Sequence, residues 1–130
     1  MTVPVLKTST RRVGPVVVCA FTGDMIMECE EVGARALTRA LAERPGMLAV
    51  DLAGVELFTS SALNVLLQAR RAAADQGVPL VLVNPNRIVR QVLTLTGATE
   101  LFPTYPTAEV AARAHARSAD HGEPGGGGGG

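Results

Sequence analysis

Three short runs in this chain are apolar without polar alternation, and they restrict the folds that it can adopt. The runs cover residues 16–21, 47–50 and 80–83. A strand that is buried on both faces reads as a continuous run of this kind. The sequence therefore predicts that the three runs form the centre of a sheet that helices cover.

Segments with helical spacing lie between and after these runs. Helices are predicted over residues 29–44, over residues 60–75, after Asn84 as a cap with Pro85 at the first helical position, and over residues 108–117. The residues predicted to line the buried stripes of the first and third helices are Val32, Ala36, Leu37, Ala40, Leu41, Ile88, Val92, Leu93 and Leu95.

The order of these segments indicates an α/β fold. Residues 3–13 alternate weakly and end at the turn dipeptide Gly14-Pro15, which favours an antiparallel hairpin with the first apolar run. The strand–helix alternation that follows implies a mainly parallel sheet with right-handed crossovers. We expect one domain over residues 1–117, with four to five strands and about four helices. Residues 118–130, which end in six glycines, are expected to be disordered.

Composition argues against several classes of function. Twelve basic residues balance twelve acidic ones, whereas a nucleic-acid-binding domain normally has a basic excess. Cys19 and Cys29 form neither a disulfide framework nor a metal-binding pattern, and the chain lacks the glycine-rich nucleotide motifs. No apolar run approaches the roughly 18 residues of a membrane span. We expect a cytoplasmic protein without cofactor, metal or catalytic residues.

The most informative polar segment follows the apolar pair Leu57-Phe58. Thr59, Ser60 and Ser61 come next, and helical spacing begins directly after them. Thr59 or Ser60 is therefore predicted to be the N-cap of the second helix. A serine exposed there lies at the positive end of the helix dipole, where a phosphate group would be stabilised.

The run of residues 57–63, Leu-Phe-Thr-Ser-Ser-Ala-Leu, resembles the signature of STAS domains, a family that includes the anti-sigma factor antagonists. The family pattern is two apolar residues followed by Asp-Ser-Ser-Gly-Leu, and the serine that the family phosphorylates matches Ser60. Thr59 stands in place of the Asp, and Ala62 in place of the Gly. The resemblance extends over roughly residues 5–114.

A second part of the resemblance lies at the end of the first apolar run. STAS domains usually have Gly-Glu-apolar-Asp at this point, and Gly23, Asp24 and Met25 match that pattern. Ile26 replaces the last acidic residue. The resemblance implies a partner-binding surface formed by Asp24, Met25, Ile26, Thr59, Ser60, Ser61, Ala62 and Asn64, with Ser60 as the phosphorylation site and Ser61 as the second choice.

The resemblance also implies a mechanism. Anti-sigma factor antagonists bind an anti-sigma factor that has a histidine-kinase-like ATP-binding fold, and so free the sigma factor. The partner kinase phosphorylates the serine, the complex dissociates, and a phosphatase resets the switch. The chain would then regulate transcription indirectly, without binding nucleic acid.

Other interpretations of the same residues remain open. Ser60 can be a helix cap and nothing more. Asp24 and Asp51 can be paired carboxylates for acid–base work, although Asp at a strand end usually bonds its own backbone. Met25 and Ile26 can anchor a partner or tuck back onto the sheet.

Two further classes of function compete with the antagonist. One is a STAS scaffold or lipid-transport subunit that binds a protein without being phosphorylated. The other is a small α/β enzyme or nucleotide binder. An arginine patch for an acidic partner is an additional possibility, although such residues are more often a solvated face; its members are Arg70, Arg71, Arg87 and Arg90.

Overall fold

The computed structural model of the protein describes residues 5–121. The strands are β1 (Leu6–Val13), β2 (Val16–Met25), β3 (Met47–Phe58), β4 (Leu80–Val83) and β5 (Thr104–Tyr105). The α-helices are α1 (Glu30–Ala42), α2 (Ser60–Asp75), α3 (Arg87–Thr96) and α4 (Ala108–His121). Single 3-10 turns precede α1 and β5, at Met27–Cys29 and Thr99–Leu101.

The five strands form one sheet in the order β1-β2-β3-β4-β5. β1 and β2 are antiparallel and are joined by the predicted Gly14-Pro15 turn, in which Gly14 has a φ of +60°. The other neighbouring strands are parallel, and all three apolar runs are strands in the middle of the sheet. The predicted fold class is therefore confirmed.

Helices cover both faces of the sheet. Because side chains alternate along a strand, β2 directs Val17, Cys19 and Phe21 to one face and Val16 and Val18 to the other. The first face packs against α1, α2 and α3 in the larger core. The second packs against α4, where Ala108 and Ala111 are the buried helix residues of a smaller core.

The larger core contains Cys19, one of two free cysteines in the described part of the chain, and both thiols are buried. Burial raises the pKa of the Cys19 thiol to about 11, because the interior disfavours the charged thiolate. Cys19 is therefore protonated at neutral pH, as a small core residue would be.

Strands β2 and β3 run beyond their predicted ends, to Met25 and Phe58. Residues 22–24 and 52–57 contain polar and glycine residues that favour turns locally, but the two segments pair with each other in parallel. The register shifts between Ala20 and Thr22 and again between Gly23 and Asp24, so these residues are accommodated at bulges. Asp51 still makes the expected local bond, since its Oδ1 accepts from the Ala53 N–H at 3.0 Å.

The third helix begins two residues later than predicted. Asn86, not Asn84, is its N-cap, and the Asn86 side chain accepts from the Val89 N–H at 3.1 Å. Asn84 has a left-handed φ of 47°, which an asparagine tolerates but which differs from the extended backbone of an N-cap residue.

The predicted apolar stripes were too wide. Leu95 is 78% exposed, and Val32 and Ile88 are exposed as well. Each helix packs on the sheet along one side only, so the neighbouring apolar positions remain in solvent. Two glycines follow helix ends in the left-handed conformation that glycine favours, Gly77 after α2 at a φ of +71° and Gly97 after α3 at +76°.

The last helix continues to His121, four residues beyond its predicted end at residue 117. The glycine-rich remainder, residues 122–130, lies outside the described residues. Within residues 5–121, no helix has both the length and the apolar character required to cross a membrane.

Gly23 provides a test of the β1–β2 packing. It has a φ of +110°, and a Cβ there would collide with the carbonyl oxygen of Val5. Gly77 has a φ of +71° but no atom within 4 Å of the corresponding Cβ position. We predict that Gly77→Ala lowers the free energy of unfolding by about 1 kcal/mol through left-handed strain alone. Gly23→Ala should lower it by about 2–4 kcal/mol.

Urea denaturation of both variants measures this difference. Both substitutions place alanine at a positive φ, so Gly77→Ala controls for the part of the backbone strain that a left-handed φ near +70° causes. If the two variants lost equal free energy of unfolding, the backbone at Val5 would move away from the new Cβ at no measurable cost, and close packing at Gly23 would not be important.

Candidate functional site

The N-terminus of α2 lies at the carboxyl edge of the sheet, where β2 and β3 end side by side. Thr59 directly follows β3 and is the N-cap residue of α2. Its N–H and its hydroxyl both donate to the carbonyl oxygen of Met25, at 3.2 and 3.3 Å. These two bonds fix the start of α2 against the end of β2.

The Thr59 hydroxyl donates to the Met25 carbonyl and accepts no bond from the first turn of α2, so it does not cap the helix. The first backbone bond of α2 runs from the Leu63 N–H to the Thr59 carbonyl, at 3.1 Å. The preceding first-turn N–H groups have no bond from the N-cap side chain, and this fully described turn contains no acidic residue. The helix therefore begins as a positive end without the usual side-chain acceptor.

The predicted site residues on α2 differ in accessibility. Ser60, the first residue of the helix, is exposed, and Asn64 is exposed one turn later. Ser61 is half-buried, and Ala62 is buried in the larger core. Ser60 is thus the more accessible hydroxyl of the two candidates.

The predicted residues on β2 form the other side of the site. Asp24 is half-buried and pairs with Leu57 across the β2–β3 ladder. Met25 is only 3% exposed, so its side chain packs in the core while its carbonyl holds Thr59. Ile26 is half-buried. Of the two interpretations open for Met25, the structure favours the one in which it tucks onto the sheet.

Three exposed apolar residues at the same edge were not predicted. Met27 is 67% exposed in the turn after β2, and Leu57 is 50% exposed near the end of β3. Ile88 is exposed in the first turn of α3, which begins at this edge because β4 is parallel to β3. An apolar residue near the end of an element is equally compatible with the core, so the sequence pattern alone did not identify them.

Asn86 links α3 to the extended part of β3. Its amide nitrogen donates to the carbonyl oxygens of Val55 and, at 3.5 Å, Ala53, while its Oδ1 caps α3. One side chain therefore satisfies backbone groups on two elements. This positions the beginning of α3, with Ile88, against the extended part of β3.

The four arginines proposed as a patch have different environments. Arg70 donates from Nε to the Leu101 carbonyl at 2.9 Å and so connects α2 to the turn before β5. Arg71, Arg87 and Arg90 are exposed. At least one of the four thus has a structural role.

The described residues do not assemble a group suited to a metal ion. No cluster of three or more His, Cys, Asp and Glu side chains occurs among them. A depression of about 210 Å³ lies between α1 and α2, away from Ser60. Its lining contains no titratable side chain; it is formed by Ala34, Leu37, Thr38, Leu41, Leu48, Val65, Gln68, Ala69 and Ala72.

Comparison with known proteins identifies one family. The model of the STAS domain matches residues 7–111. Comparison with curated protein sequences gave no match. The chain is similar to an anti-sigma factor antagonist from Mycobacterium paratuberculosis, with 26% identity, a TM-score of 0.72, and coverage of 86% of this chain and 95% of that one.

Two further structures share the fold. The anti-sigma factor antagonist SpoIIAA in its unphosphorylated form has 17% identity and a TM-score of 0.70, with coverage of 85% of this chain and 97% of that one. SLC26A9 has 15% identity and a TM-score of 0.70 over 82% of this chain, but the match covers only 20% of that protein.

Asn86 offers a test of how the site is assembled. We predict that Asn86→Ala lowers the free energy of unfolding by about 1–2 kcal/mol, because it removes a cap and two bonds to β3 carbonyls. Asn64→Ala, on the exposed face of α2, is the matched control and should change stability by less than about 0.5 kcal/mol. Thermal and urea unfolding measure both variants; similar effects would contradict the linking role.

Proposed function

Since the chain belongs to the STAS domain family, we propose that it is an anti-sigma factor antagonist, a non-enzymatic switch that acts in the cytoplasm. The observation that carries this proposal is the exposed Ser60 on the uncapped N-terminus of α2. It is supported by 26% identity to the antagonist from Mycobacterium paratuberculosis over nearly the whole of both chains. The partner is an anti-sigma factor with a histidine-kinase-like ATP-binding fold.

The surface around Ser60 suits a protein partner. Met27, Leu57 and Ile88 expose apolar side chains at the same edge of the sheet. Exposed apolar side chains are typical of the centre of an interface, and polar side chains are typical of its rim. Thr59, Ser61 and Asn64, which are predicted to contact the partner, lie at the start of α2. Met25 and Ala62 are buried in the larger core and would instead hold the backbone of the site in place.

Phosphorylation of Ser60 by the partner would separate the complex and leave the fold intact. A phosphate adds about −1.5 to −2 charges, and the free N–H groups of the first turn of α2 can donate to its oxygens. A partner packed on the same spot must desolvate that charge without pairing it. Turning a complex from mostly bound to mostly free takes about 5.5 kcal/mol, which is within the cost of such a desolvation.

The residues that depart from the family pattern change the charge of this surface. Thr59 and Ile26 replace two acidic residues, while Asp24 retains its charge. We infer that the cognate partner presents a less basic and more apolar face than the partner of a standard antagonist. Transcription would then be regulated indirectly, through this partner alone.

A charge at position 60 should weaken the complex. We predict that Ser60→Asp lowers affinity for the cognate anti-sigma factor roughly tenfold or more, because the partner must bury an unpaired carboxylate. The melting temperature should remain nearly unchanged, since the N-terminus of α2 tolerates negative charge. Ser60→Ala is the control and should bind like the parent. Calorimetric titration measures the affinities, and equal affinity of all three proteins would refute the switch.

The Thr59 departure leads to a second prediction. A kinase that reads the family's Asp lacks its contact here, so Thr59→Asp should accelerate phosphate incorporation at Ser60 by roughly tenfold. Thr59→Ser keeps the hydroxyl without the charge and should react like the parent. Intact-mass spectrometry with the cognate kinase and ATP measures the rates. Rapid and complete phosphorylation of the parent would show that Thr59 is a neutral replacement.

A non-phosphorylated STAS scaffold or lipid-transport subunit is the second candidate. The loss of the acidic residues at Thr59 and Ile26 favours it, because both losses affect the surroundings of the acceptor serine. The STAS fold also occurs as one part of a much longer chain in SLC26A9. Affinity purification separates the candidates: a histidine-kinase-like ATPase among the bound proteins supports the antagonist, and a transporter subunit supports the scaffold.

A further inference from the structure

The outer edge of β1 carries backbone groups that no strand within residues 5–121 pairs. The Asp24 N–H donates to the Val5 carbonyl at 2.9 Å, so these two residues form a hydrogen-bonded pair of the antiparallel ladder. Such pairs alternate along the strands. The odd-numbered residues of β1 therefore bond β2, and Leu6, Thr8, Thr10 and Arg12 direct their N–H and C=O groups outward.

This edge lacks most of the features that protect edge strands. Proteins usually shorten an edge, interrupt it with proline or a bulge, or cover it. β1 has eight residues, no proline, and an unbroken register with β2. The opposite edge of the sheet is β5, which has only two residues. The one protective feature of β1 is its charged side chains, which are all basic: Lys7, Arg11 and Arg12.

The two arginines lie on opposite faces of the sheet and leave the backbone edge accessible. Arg11 reaches Glu109 on α4 at 3.7 Å. Arg12 reaches the Glu43 carboxylate after α1 at 3.5 Å and also donates to its carbonyl. All four side chains are about half exposed, so both cations remain available to a further anion.

A second copy of the chain fits this edge poorly. An antiparallel pairing that uses all four outward-facing residues matches Leu6 with Arg12 of the other copy and Thr8 with Thr10. In the same register, Lys7 of each copy lies directly opposite Arg11 of the other copy, so the symmetric pair contains two such contacts. Like charges that face each other across a ladder are destabilising.

We propose that the outer edge of β1 accepts an extended, acidic segment of a partner protein as a sixth strand. The outward N–H and C=O groups would provide main-chain hydrogen bonds, and Lys7, Arg11 and Arg12 would select acidic side chains. This site is independent of Ser60 and of the proposed antagonist function, because it lies on the opposite side of β2 from β3.

Hydrogen exchange measured by NMR tests the proposal on the whole chain. The probe is a blocked seven-residue peptide of alternating glutamate and valine, and a lysine–valine peptide is its matched control. With the acidic peptide, the amides of Leu6, Thr8, Thr10 and Arg12 should exchange more slowly, while the odd-numbered amides, already bonded to β2, should not change. The lysine peptide should have no effect.

Two variants make the test specific. Thr10→Pro removes one outward N–H and no bond to β2, so it should weaken binding of the acidic peptide about tenfold. Lys7→Glu reverses an exposed charge and should weaken binding about fivefold even if Thr10→Pro does not fold.

Several results would overturn the proposal. They are binding without the alternating protection, equal binding of both peptides, and unchanged affinity in Lys7→Glu. Protection of the even-numbered amides in the free protein that disappears on dilution would identify a second copy as the occupant instead.

Discussion

The parallel pairing of β2 with β3 is the interaction on which the rest of the structure depends. It continues past the apolar centre of the sheet to Met25 and Phe58, across two shifts in register. The two bonds from Thr59 to the Met25 carbonyl then close the end of the ladder. Without this extension, Thr59 could not bond the Met25 carbonyl, and Ser60 would not lie beside the end of β2.

The same extension determines which side chains surround Ser60. It exposes Leu57 at the rim of the sheet and buries Phe58 beneath it. The Asn86 amide nitrogen donates to the carbonyls of Ala53 and Val55, so the extended part of β3 also fixes the position of the first residue of α3. The proposed binding surface and its scaffold are therefore made by the same backbone, and a change that loosens β3 would alter both.

The sequence was sufficient to predict the central strands of the sheet but not the edge at which β2 and β3 end. Continuous apolar runs and the Gly14-Pro15 turn identify strands through local patterns, and Gly77 ends α2 for a local reason as well. The ends of β2 and β3 consist of residues that locally favour turns, and only pairing between segments about 30 residues apart makes them strands. The choice of Asn86 over Asn84 as cap likewise depends on distant β3 carbonyls.

Thr59 shows how a departure from the family pattern changes the physics of the site. An ionised Asp at this position could accept bonds from the first turn of α2, but it could not donate to the Met25 carbonyl. The threonine hydroxyl does donate to that carbonyl, and the helix end stays without a cap from its own N-cap residue. The chain thus has one more bond between β2 and α2, and the N-terminus of α2 is uncapped. The free N–H groups are then available to an anion attached to the neighbouring residue, which is Ser60.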